Sequence, residues 1–109
     1  MIQRLFVYGT LAPGEPNGHI LAPLEGTWQP ATVRGRLKPE GWGAAMGYPG
    51  IVLDESAEEV QGVVFSSEQL EGFWSELDAF EGEEYARVST KVHCAGVPLE
   101  AYVYVVRGG

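Results

Sequence analysis

Six short runs of apolar or β-branched residues, each ended by turn residues, and only one stretch with helical spacing constrain this chain more than any other feature. The runs are Leu5 to Tyr8, Thr32 to Leu37, Ile51 to Leu53, Val60 to Phe65, Tyr85 to His93 and Leu99 to Val106. The first is apolar throughout and reads as a strand covered on both faces. The last two flank Cys94-Ala95-Gly96-Val97-Pro98, a hairpin turn region. Many short strands with one substantial helix predict a mixed chain whose sheet curls or closes into a small barrel. The 15 glycines and seven prolines are scattered and mark no linker, so residues 1–109 read as a single domain.

The helical stretch spans 66–81. Ser66 and Gln69 have capping-box spacing, Leu70, Phe73, Trp74 and Leu77 recur on one stripe, and Gly82 supplies the stop. His19-Ile20-Leu21 is expected to make one helical turn, and Lys38 to Gly50 a long loop.

Glu81 is the most informative residue. It lies four positions after Leu77 and seven after Trp74, which puts a carboxylate on the apolar stripe. Burial, the carbonyls of a helix C-terminus and the nearby Asp78, Glu83 and Glu84 would all raise its pKa, as a general base working near neutrality requires. Alternatively, Glu81 swings outward at a fraying helix end; spacing does not fix its rotamer.

Elsewhere the pattern is plainer. Seven basic against fifteen acidic side chains give a net charge of −8, which disfavours nucleic acid and anionic membrane as partners. One cysteine, Cys94, forms no internal disulfide, and no ligand spacing suggests a metal. The short apolar start is no secretory signal, so the cytoplasm is the expected location. Gly9 and Gly14 have phosphate-loop spacing, but Glu15-Pro16 stands where Lys and Ser or Thr are needed. His93 and Cys94, adjacent in a strand, face opposite ways and cannot act as a base and nucleophile pair. Tyr85 with Arg87, and Tyr102 with Tyr104, each share a strand face and either line a pocket or fill a barrel interior.

Phe6-Val7-Tyr8-Gly9-Thr10-Leu11, Gly14-Glu15-Pro16-Asn17, Gly47-Tyr48-Pro49-Gly50 and Leu77-Asp78-Ala79-Phe80-Glu81-Gly82 with Tyr85-Ala86-Arg87 together resemble the γ-glutamylcyclotransferase-like (AIG2-like) family, nearest its γ-glutamylamine cyclotransferase branch. The resemblance implies an α+β fold, a small closed or nearly closed mixed barrel of about six strands with flanking helices and a cavity at one end, no cofactor, and cyclisation of a small-molecule γ-glutamyl substrate to 5-oxoproline with release of the amine. It puts the catalytic glutamate at Glu81 and substrate binding at Tyr8, Gly9, Thr10 and Leu11, with Gly50 and Tyr85 as further candidates. Thr10-Leu11 replaces the Ser-Asn of the glutathione-pathway branch. Rival readings are a non-catalytic barrel that binds a small metabolite and a glycosidase, although the latter needs two carboxylates flanking one bond. Oligomeric state and the leaving amine are left open.

Overall fold

The computed structural model describes residues 2–8, 14, 18–38 and 50–106. Its strands are β1 (Gln3–Val7), β2 (Thr27–Lys38), β3 (Gly50–Leu53), β4 (Glu59–Ser67), β5 (Tyr85–Cys94) and β6 (Val97–Val106). One helix, α1 (Trp74–Glu81), lies between β4 and β5, and short 3₁₀ turns cover Gly18–Ile20 and Gln69–Gly72. Among the described residues, no helix is long and apolar enough to cross a membrane.

The strand order is β3-β2-β4-β1-β6-β5, and β2 pairs again with β5 through Thr32 and His93. Five strands therefore close the barrel, while β3 hangs on the outer half of β2 through the register Gly35↔Leu53 to Lys38↔Gly50. All pairs are antiparallel except β1 with β6, which makes the sheet mixed. Alternation sorts the side chains into two cores. Phe6, Val33, Ile51, Val64, Val92 and Val103 fill the barrel. Leu5, Val7, Phe65, Tyr85, Tyr104 and Val106 face the other way, onto Leu70, Trp74 and Leu77.

Of the two places open to Tyr102 and Tyr104, the barrel interior is ruled out: both stand on its outer face beneath α1, in antiphase to Ala101 and Val103. One expectation needs correction. Residues 66–81 are not one helix. Ser66 and Ser67 continue the β4 ladder, opposite Arg4 and Gln3 of β1, and a residue held there cannot cap a helix. The Gln69 side chain accepts from the Glu25 amide at 2.6 Å, while Ser67 Oγ accepts from the Gln69 amide at 3.0 Å and donates to the Glu25 carbonyl. The polar groups expected to start a helix instead tie down the segment before β2. A 3₁₀ turn follows, and α1 begins only at Trp74. Leu70, Trp74 and Leu77 are buried as expected, and Phe73 is half-buried against the same core.

Glycine is required where α1 stops and where β1 crosses β4. Gly82 has φ 81° and ψ −173°, a region closed to other residues. A Cβ on Gly62 would meet the Val7 carbonyl oxygen at 2.5 Å. The β5–β6 hairpin turns through Ala95-Gly96, both at positive φ, so the strands reach closer to the turn than expected.

Candidate functional site

The C-terminal ends of β1 and β6 and the first residues of β3 and β5 converge at one end of the barrel. Tyr8, just past β1, donates its hydroxyl to the Tyr104 carbonyl at 2.8 Å and accepts from the Ile51 amide at 3.0 Å. Its one donor proton is thus committed to holding three strands together. What Tyr8 still offers a ligand is its ring, which stacks on Phe6 with centroids 6.3 Å apart, and one oxygen lone pair. Gly50 is buried next to Ile51 at the start of β3.

Glu81 is inward. Its residue is 8% exposed, close to Trp74 at 9%, and burial pushes its pKa from the ordinary 4.5 to about 7. The acidic neighbours do not share in this effect: Glu83 and Glu84 are solvent-exposed, and Asp78 is turned to a partner of its own. Glu81 lies close enough to Tyr8 and Tyr104 for its charge to help raise both phenols, although burial is the larger cause in each. Tyr85, which opens β5 and is also buried, acts on Tyr8 in the same sense. The Tyr85 amide bonds the Gly82 carbonyl at 3.3 Å, so the turn after α1 carries the chain directly from Glu81 to Tyr85.

Asp78 is the residue whose setting the spacing did not reveal. Its carboxylate accepts from Arg87 Nε at 3.0 Å, from the second Arg87 nitrogen at 3.3 Å and from the Tyr104 hydroxyl at 2.7 Å. Partial burial works against ionisation, yet the bonds from Tyr104 and Arg87 and the Arg87 charge hold its pKa below the ordinary 3.8. The Arg87 guanidinium also covers the Trp74 ring at 4.5 Å and the Tyr102 ring at 5.1 Å. Tyr85, Arg87, Tyr104, Asp78 and Gly82 line an open cavity of about 540 Å³ beside α1. Two carboxylates three residues apart are therefore driven in opposite directions: Asp78 is held in its charged form, and burial raises Glu81 toward neutrality.

Of the residues expected to form a site, Tyr8, Gly50, Glu81 and Tyr85 come together at this end of the barrel, while Gly9, Thr10 and Leu11 lie outside the described residues. So does most of the expected 38–50 loop, including Gly47-Tyr48-Pro49. His93 is exposed and Cys94 buried, on opposite faces as expected, and the Cys94 thiol bonds the Gln29 side chain at 3.2 Å.

The same architecture is found in solved structures. YkqA from Bacillus subtilis superposes with a TM-score of 0.75 at 29% identity, over 98% of this chain and 36% of that one. This chain thus spans about a third of that protein's length. An AIG2-like protein from Mus musculus gives 0.72 at 20% identity, covering 99% of this chain and 79% of that one. A yeast γ-glutamyl cyclotransferase specific to glutathione gives 0.63 at 15%, covering 96% and 69%. No curated protein sequence matches. Residues 5–109 match the family described as gamma-glutamyl cyclotransferase, AIG2-like, and with the closed mixed barrel this establishes that the chain belongs to that family.

Proposed function

We propose that the protein is an enzyme that cyclises a γ-glutamyl amine or γ-glutamyl peptide to 5-oxoproline and releases the free amine, with Glu81 as its general acid/base. The observation that carries this reading is the inward Glu81, held by burial at a pKa of about 7. At that value the carboxylate and the carboxylic acid are both populated near neutrality, as one group needs if it is to accept a proton and return it.

The reaction balances without a second reactant. The substrate's α-amino nitrogen attacks its own γ-carbonyl carbon, and the Glu81 carboxylate takes the proton that the nitrogen loses. The ring closes as a tetrahedral intermediate. The bond from the γ-carbon to the leaving nitrogen then breaks, and Glu81 returns the proton to that nitrogen. Because nucleophile and electrophile belong to one molecule, the protein gains chiefly by folding the substrate into a near-attack conformer, an effect worth up to about 7–11 kcal/mol in favourable systems. The Tyr8 ring and Tyr85 are assigned to the substrate because they lie near Glu81 at the strand ends, and Gly50 because it precedes Ile51, whose amide bonds Tyr8. Gly9, Thr10 and Leu11 are assigned to its carboxylate or developing oxyanion on the family resemblance alone.

The test is release of 5-oxoproline, followed by mass spectrometry, from a panel of γ-glutamyl amines and γ-glutamyl amino acids. Turnover of at least one member is expected. Binding of γ-glutamyl compounds with no turnover of any would instead make the barrel a metabolite-binding protein.

A further inference from the structure

Helix α1 has eight residues, little more than two turns, and no side chain caps its N-terminus. A helix that short does not hold its own shape in water; contacts with the rest of the fold must hold it. Trp74 and Leu77 supply the apolar contacts, and the Trp74 indole nitrogen donates to the Gln3 side chain. Phe80 packs the last turn, which carries Glu81, against the same core, and a polar contact adds to its hold.

That turn is gripped through Asp78, one turn before Glu81. Arg87 of β5 reaches both Asp78 and Trp74, four residues apart, with two hydrogen bonds to the first and its guanidinium over the ring of the second. Tyr104 of β6 joins from the other side, its hydroxyl on Asp78 and its carbonyl accepting from Tyr8. The chain Tyr8–Tyr104–Asp78–Arg87–Trp74 thus runs from the barrel end to the start of α1, and its two tyrosines lie within reach of the Glu81 charge. We propose that Asp78, Tyr104 and Arg87 are positioning residues, a clamp that aims Glu81 at the substrate without touching it. This rests on the reading of Glu81 as acid/base.

Asp78 and Arg87 are 45% and 25% exposed, and a pair of that kind adds little to stability. Losing the clamp should therefore spare folding and cost rate, since a misplacement of about 1 Å in a reacting group lowers turnover by about 10²-fold.

The experiment uses Tyr104→Phe, which removes one hydroxyl and no charge, and Asp78→Asn, which keeps the shape. On whichever γ-glutamyl compound the wild type cyclises, both should lower kcat by about 10- to 100-fold while KM stays within about twofold. Arg87→Lys should retain more of the rate than Arg87→Ala. Asp54→Asn, which breaks the 3.1 Å pair with Arg36 elsewhere on the surface, should change neither constant. An unchanged kcat in both Tyr104→Phe and Asp78→Asn overturns the clamp, as does a fall in kcat that merely follows a fall in the folded fraction. A second readout is independent of turnover: titration of the Glu81 carboxyl carbon by NMR. Tyr104→Phe should move its midpoint down by about one pH unit as water gains access to the loosened turn. If the wild type cyclises nothing, the proposed activity is wrong and the aiming role falls with it; the midpoint then decides only whether the clamp keeps Glu81 buried, a downward move showing that it does and no move that it does not.

Discussion

Replacing Glu81 with Gln should stabilise the protein, and by more as the pH rises. Unfolded, this carboxyl titrates at its ordinary 4.5, whereas folded it titrates near 7. Between those values the folded state holds the proton more tightly than the unfolded chain does. Its contribution to stability is therefore complete below about pH 4.5 and is lost as the pH rises through about 7. The full displacement corresponds to about 3 kcal/mol by the end of that window, with about 1 kcal/mol already lost near pH 5. Glutamine keeps the size of the side chain and has nothing to ionise. The stability gap between variant and wild type should thus widen by about 2 kcal/mol from pH 5 to pH 8, or about 8 °C in Tm for a chain of this length. The assay is urea denaturation of both proteins at several pH values, in which every other titrating group cancels from the difference. A gap that changes by less than about 0.5 kcal/mol would mean that Glu81 is solvated, and the reasoning about its tuning would fail.

Three further outcomes follow from named contacts. Tyr8→Phe leaves the Ile51 amide without its partner and should cost about 1–3 kcal/mol in denaturant titrations. Ala95→Asn should stabilise by about 0.5–1 kcal/mol, because Ala95 sits at φ 52° in a two-residue hairpin turn that favours Asn-Gly; thermal melting checks it. The pH profile of kcat/KM should show an acid limb near pH 7, with activity falling below it as Glu81 takes up its proton; a limb near 4.5 would contradict the burial.

Much of this architecture was written in alternation and spacing. The six runs became the six strands because each is long enough to pair and is closed by residues that break pairing, and the Glu81 stripe held because Trp74 and Leu77 dictate which side of α1 is covered. What local spacing missed was decided by partners distant in sequence. Ser66 reads as a helix cap until β1 claims it for the ladder, and Gln69 reads as its reciprocal until Glu25, 44 residues away, takes its side chain. The Asp78–Tyr104 bond, between residues 26 apart, was likewise out of reach, although Asp78 and Arg87 nine residues apart across a helix–turn–strand are a signal that could have been read. The family resemblance makes Tyr8 a ligand contact, and only the tertiary structure shows how far its hydroxyl is occupied in joining β1, β3 and β6.

The most direct test of the central claim is 5-oxoproline release by wild type and Glu81→Gln side by side, with binding of the same γ-glutamyl compound measured by calorimetry. If Glu81 is the acid/base, the variant should bind the compound within a few-fold of wild type and turn it over about 10²–10⁴ times more slowly. Equal turnover by the two proteins would contradict the account.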